Sequence, residues 1–392
     1  MTLCLTPHNL LLLITYEVCL MTYNLSITFA KTLGMKNSYN ILTGSKIQNG
    51  LKLLVLVLLL SCYSQLKAQL DFSPLDKKLN TYKLELGINY ACLIEKDGKV
   101  LFKKESPDFD VKTSGTLGST SQWLTAALVM SFVDQGKLSL DDNITQYLPI
   151  FAEYGKKYIT LRHCLAGQTG IEAPKGIAKL FEKNRFESLE EEVNSYANKH
   201  EILYNPGTAF MYNSIGLNLA ARIVEVVSKK SFEQMMMERI VHPLAMKSTS
   251  FSDNDRVTPA SSGTASALDM TNFMTMILNK GIFNGKRILS EKAVVDMETL
   301  QIDASLMKDL PPSLTGFTYG VGEWVLDKDA NGQSTVIGFP NMYGSLFFVD
   351  KCKGYTFALL TKSLQMESKK ETYLAIKKIV DGIIQDNGCA TK

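Results

Sequence analysis

Residues 119–135 set the strongest constraint on what this chain can become. Read at 3.6 residues per turn, the stretch is helical and apolar on nearly every face, with Trp123, Leu124, Leu128, Met130 and Phe132 leaving no polar side. A helix with no polar face to offer water has to be surrounded, so the rest of the fold must be built around it. Gly136 follows as a C-terminal cap. At 392 residues and 45% apolar content, the chain is long enough to enclose such a helix, which excludes a disordered or fibrous protein.

The flanking patterns say what encloses it. Asn89–Glu95 and Lys99–Lys104 alternate as strands and meet at Asp97-Gly98, a hairpin signal. The middle of the chain is helical: 187–199, 215–229, 231–240, 267–279 and 290–298 all carry helical periodicity. Strand-like runs return at 318–326, 335–337, 346–350 and 355–361, and a last helix is expected over 368–385. Strands at both ends with helices between predict an α/β fold: an antiparallel sheet formed by both chain ends, flanked by helices, with an inserted helical lobe. No linker or composition shift divides residues 69–392, which therefore read as one domain.

The N-terminal region reads as a leader. Leu53–Leu60 is an unbroken apolar run preceded by Lys36, Lys46 and Lys52, too short for a bilayer span of about 20 residues. The pattern is that of a secretory signal over 35–68, with cleavage expected after Ala68 and export to the periplasm or medium. Leu59-Leu60-Ser61-Cys62 offers an alternative, a lipoprotein site at Cys62 that would anchor the chain to a membrane. Residues 1–34 show neither signal nor fold periodicity, and translation is expected to start at Met35. Beyond the leader, Cys92, Cys164, Cys352 and Cys389 allow three pairings, which spacing does not resolve. The net charge of +3 is spread along the chain, with no stripe suited to nucleic acid.

Chemistry has few candidates. Only His163, His200 and His242 follow the leader, and no metal-ligand spacing or phosphate loop occurs, so neither a metal nor a cofactor is expected. His163 and His242 read as structural. Ser119 is the exception. At the first turn of a buried helix its oxygen lies near unpaired backbone N–H groups, which favour developing negative charge. Position 122 sits one turn on, on the same face, where serine enzymes of one type place a lysine to take the serine proton. The plainer reading is that Ser119 merely caps the helix.

The surrounding sequence favours the chemical reading. Gly118–Ala126, then Gly136-Lys137-Leu138, Leu140-Asp141-Asp142, Tyr147-Leu148-Pro149, Ile159–His163, Thr169-Gly170-Ile171, Asn205-Pro206-Gly207-Thr208 with Tyr212, and Pro243–Lys247 occur in order. In this series the chain resembles the serine β-lactamase, penicillin-binding protein and esterase family, in its class C-like branch, over roughly residues 85–365. The resemblance implies a β-lactamase/transpeptidase-like fold and places the nucleophile on Ser119 and the second-motif tyrosine on Tyr212. It also exposes departures. The motif lysine falls on Gln122, the second-motif asparagine on Ser214, and the third-motif cation on Thr335 or Val336, ahead of Gly338. A histidine expected before Thr169-Gly170 is Gln168. Ser64–Lys67, Ser305–Lys308 and Tyr196–Asn198 fit the motifs only by composition and are rejected.

An amide at position 122 has no basic lone pair, and loss of a positioned base typically costs about 10²–10⁴ in rate. Hydrolysis of an ester or amide through an acyl-Ser119 is therefore expected to be slow. The alternative is a silent scaffold whose cleft binds a small molecule, peptide, glycan or protein. A rebuilt site recruiting another amine, such as Lys112, is a third reading. Ser214 reads more simply as the cap of the helix beginning near Ile215.

Overall fold

A computed structural model describes residues 70–82, 89–174, 186–252, 257–308, 310–340, 344–362 and 370–384. The expected leader segments 1–34 and 35–68, with Cys62, and also Cys389 lie outside the described residues, and one compact unit begins at Leu70.

The sheet has seven antiparallel strands: β1 (Tyr90–Lys96), β2 (Lys99–Glu105), β3 (Thr318–Tyr319), β4 (Trp324–Lys328), β5 (Ser334–Pro340), β6 (Leu346–Asp350) and β7 (Tyr355–Thr361). Their order is β2-β1-β7-β6-β5-β4-β3, so β1 from the front of the chain lies against β7 from its end, with Leu93 opposite Ala358. The two chain ends do build one sheet, as the strand pattern implies.

Side-chain alternation along the strands feeds two separate cores. Cys92, Ile94, Val336, Phe348, Phe357 and Leu359 point to one side, where helix α1 (Ser73–Thr81) and the C-terminal helix cover them with Leu75, Leu79, Ile376 and Val380. Ala91, Leu93, Ile337, Phe339, Phe347 and Leu360 point to the other side, into the larger core around α2 (Ser121–Asp134). All positions of α2 from Ser121 to Phe132 are buried, which is the enclosure its composition demands. Further helices are α3 (Leu189–Asn198), α4 (Ile215–Ser228), α5 (Ala267–Leu278), which packs on the sheet against β1, β6 and β7, and α6 (Glu291–Glu298), and the last described helix is α7 (Lys370–Ile383).

Three local readings differ from the structure. Ser119 lies not in the α-helix but in a 3₁₀ turn, Gly118–Thr120, that leads into it. Gly118 takes a left-handed φ of 52°, and this bend brings the chain onto the helix axis. The run 318–326 is not one strand: Gly320 and Gly322 break it into β3 and β4, with Gly322 at φ 78°. Residues 231–240 begin as an α-helix at Phe232–Met236 and loosen to a π turn at Met237–Val241. The helix α1, with Pro74 in its first turn, has no counterpart in the sequence reading.

Cys352 is disulfide-bonded, whereas Cys92 and Cys164 are free and buried, and burial pushes both thiols well up. Each of the three open pairings uses both Cys92 and Cys164, so none of them holds as a complete set.

The loop between β3 and β4 packs flush on α2. A Cβ at Gly322 would lie 2.1 Å from the Ala126 Cβ, and the Gly322 N–H donates to the Leu165 carbonyl. Gly322→Ala is expected to lower the unfolding free energy by about 2–4 kcal/mol, through overpacking and a disfavoured φ. A urea denaturation midpoint that does not move would show that this loop yields.

Candidate active site

Three elements bring the site residues together. The turn Gly118–Thr120 is clamped from both sides: Leu117 N–H donates to the Gly263 carbonyl at 2.8 Å, and Gly263 N–H donates to Ser121 Oγ at 3.0 Å. Strand β5 runs past this turn. Tyr212 follows the short strand Phe210–Met211, which pairs in parallel with Met307–Lys308 and is fixed by Met211 N–H donating to the Gly167 carbonyl. Trp324 opens β4, opposite Gly338 of β5.

Ser119 and Tyr212 are half-buried residues whose hydroxyl oxygens are closed off from solvent. The Tyr212 oxygen faces the Ser119 hydroxyl and the Trp324 indole N–H, both of which favour its anion, yet none of the three groups closes a regular hydrogen bond. Burial dominates and pushes the phenol up to about 12. Tyr212 therefore holds its proton at neutral pH. Trp324 sits at the centre of an aromatic group, with ring centroids 5.0 Å from Tyr319, 5.3 Å from Tyr212 and 5.7 Å from Phe210.

Gln122 lies one turn beyond Ser119, 5% exposed, and its Oε1 accepts a hydrogen bond from the Tyr319 hydroxyl at 3.1 Å. The position of the expected base thus holds a carbonyl oxygen already engaged by a neutral donor. No amine or imidazole among the described residues bonds to Ser119 Oγ. Lys112 is exposed in the Asp110–Thr113 turn, where its carbonyl accepts from Ser248 Oγ. Lys308 is likewise exposed.

The remaining candidates separate. Gly338 is where strands approach closely, since a Cβ there would meet the Phe347 carbonyl oxygen at 2.2 Å. Thr335 is half-buried on β5, and its carbonyl accepts from Lys351 N–H. Val336 belongs elsewhere: it packs among Phe348 and Phe357 beneath the terminal helices, because alternate residues of a strand take opposite faces. Ser214 precedes α4 but does not cap it; Asn213 Oδ1 accepts from Ile215 N–H at 2.9 Å instead. Gln168 donates to the Gln301 carbonyl at 3.2 Å. His163 serves as a cap, its Nδ1 accepting from Thr160 N–H, and burial holds the ring below its ordinary value and neutral.

With that geometry in place, the family becomes decidable. The Beta-lactamase family model matches residues 90–381. This chain belongs to the β-lactamase family. The staphylococcal Protein flp is 27% identical over 172 residues, 41% of this chain and 34% of that protein, so the chain aligns with only about a third of that relative. A Bacteroides dorei crystal structure described as a β-lactamase shares 24% identity and a TM-score of 0.72, covering 80% of this chain and 99% of that one. EstCE1, a hydrolase with promiscuous acyltransferase activity, superposes with a TM-score of 0.65 at 17% identity, covering 78% and 98%.

What sequence reading missed in this β-lactamase-family site is the segment Tyr319–Trp324. Glu323 is fully buried under α2, with Trp123 Nε1 donating to its Oε2 and its Oε1 without a partner. Burial, with Glu298 nearby, holds its carboxyl well above the ordinary range, against the pull of the Trp123 hydrogen bond and of Lys351, which is itself paired to Glu298. A lone acid in the apolar string Val321-Gly322-Glu323-Trp324-Val325 was the available signal. In the unfolded chain such a carboxyl titrates near about 4.3. Above that pH the unfolded chain has lost a proton the folded chain keeps, so this group makes stability fall as pH rises. Glu323→Gln, which retains the acceptor for Trp123, is expected to flatten the loss of the urea midpoint as pH rises above about 4.3. If wild type and variant decline in parallel, another group is responsible.

Proposed function

We propose that this protein is an exported β-lactamase-family scaffold that binds an acyl ligand in its cleft and in which Ser119 is not a working nucleophile. The observation that carries this reading is the engagement of Gln122 with Tyr319 at the place of the motif lysine. Attack by a serine hydroxyl needs a group that takes its proton as the bond forms. Gln122 has no basic lone pair near neutral pH. Tyr212, the other neighbour, is pushed up to about 12, so only about one molecule in 10⁵ carries the phenolate at pH 7. With Thr335 at the third-motif position, no side chain of that motif offers a cation to a substrate carboxylate. Export is supported by the apolar run Leu53–Leu60 and the basic residues before it.

A slow acyl transfer through Ser119 is the second reading, favoured by the facing Ser119 and Tyr212 hydroxyls. The two separate cleanly in a chromogenic-ester assay on wild type, Ser119→Ala and Gln122→Lys. Wild type and Ser119→Ala are expected to turn over equally, at background. Gln122→Lys, which restores an amine one turn from the serine, is expected to gain about 10²-fold over background. Wild-type turnover that disappears in Ser119→Ala would overturn the silent reading in favour of the slow enzyme.

A further inference from the structure

Away from the serine, an open groove of about 610 Å³ lies where the far end of α2, the π turn and the hairpin Ile282–Arg287 come together. It is about 20 Å from Ser119, the rise of a helix as long as α2. Its volume is that of a small-molecule site. Four charged side chains line it: Asp134, Glu238, Arg239 and Arg287. Glu238 is already neutralised, because Lys230 Nζ meets both of its carboxylate oxygens, at 2.8 and 2.9 Å. The other three form no ion pair among the described residues; their bonds all go to neutral groups.

Those neutral contacts fix each group without cancelling its charge. Arg239 lies on the Phe132 ring, 4.1 Å from its centroid, and donates to Gln135 Oε1 at 2.9 Å. Its Nη1 also reaches the Ser131 carbonyl at 3.5 Å, in the last turn of α2. Arg287 donates from Nη1 to the Lys280 and Leu289 carbonyls at 3.2 and 3.1 Å. Asp134 accepts from the N–H and the hydroxyl of Ser290. Bracing the chain accounts for these bonds, and a single cation suffices to cap a helix end. It does not account for two guanidiniums and a carboxylate that share one groove yet stay unpaired. A guanidinium has five N–H donors, so both arginines keep donors for an oxyanion. A fork already held in place loses little side-chain freedom when it binds.

The charges left open in the groove are two positive and one negative. A lone carboxylate or phosphate answers the arginines but faces Asp134 and the partial negative charge at the end of α2. A lone ammonium answers Asp134 and meets both arginines. A small molecule with one ammonium and two carboxylates answers all three. We infer that this groove is a binding site for an amino dicarboxylate, with Arg239 and Arg287 receiving the carboxylates and Asp134 the ammonium. The site is separate from the serine cleft, so it stands whether or not Ser119 reacts.

Isothermal titration calorimetry of the full-length protein at low ionic strength tests this with glutamate, glutarate and glutamine, which match in length. Glutamate carries the whole charge set, glutarate lacks the ammonium, and glutamine lacks one carboxylate. Glutamate is expected to bind saturably, and each of the other two at least about tenfold more weakly. Asp134→Asn is expected to erase the preference for glutamate over glutarate. Arg287→Gln, at an exposed position, is expected to weaken glutamate by at least about tenfold with the circular dichroism spectrum unchanged. The comparison of ligands on wild type needs no variant to fold. No saturable heat at about 10 mM glutamate overturns the inference. Glutarate or glutamine binding as tightly as glutamate also overturns it, as does a folded Arg287→Gln that binds glutamate as wild type does. A preference for glutamate over glutarate that survives in Asp134→Asn overturns it too.

Discussion

The contact between the β3–β4 loop and the face of α2 organises everything else in this protein. Gly322 lies against Ala126 with no room for a side chain, and the loop N–H groups are spoken for by Leu165 and Met297 carbonyls. That seating puts Glu323 under Trp123 and swings Trp324 toward Tyr212. Because α2 is enclosed from Ser121 to Phe132, it cannot rotate or slide to relieve a misfit at either end. The position of Ser119 is therefore set by packing that begins a full turn further along the helix.

The same tight seating explains why the site is neutral. A cation in a buried cleft has to be paired or desolvated at heavy cost. Here the polar contacts around the helix start are made by uncharged groups: Tyr319 to Gln122, and Gly263 to Ser121. The ion pairs are Lys351 with Glu298, which lies near Glu323, and Lys377 with Asp350 and Asp381. The position aligned with the motif lysine is thus filled by an amide held in a hydrogen bond with Tyr319.

Sequence made the broad architecture legible because the relevant signals are periodic. The all-apolar helix, the Asp97-Gly98 hairpin and the late strands each carry a repeat that physical chemistry ties to burial. The ordered motifs single out Ser119 and Tyr212, and the structure brings these two residues together. The misses share a cause. Val336 was assigned to the cleft by alignment, but strand alternation turned it to the opposite core. Ser214 was read as a cap, although Asn213 reaches the same N–H one residue earlier. Trp324 and Tyr319 look like ordinary strand residues in one dimension, and only the glycine break between them sets Trp324 against Tyr212 and Tyr319 against Gln122. Such partners are set by tertiary approach, which no local pattern encodes.

The placement of β1 has a consequence for how the molecule is assembled. Lys96 at the end of β1 donates to the carbonyl of Lys353, 257 positions further along the chain. The hairpin β1–β2 can form early, yet its second neighbour is the last strand to be made. Until β7 emerges, one edge of that hairpin stays open, with a row of unpaired backbone groups. Long-range closure of this kind slows folding and keeps a new chain pliable for longer. The final strand thus acts as the clasp of the sheet, and nothing on the hairpin side is fastened until it arrives.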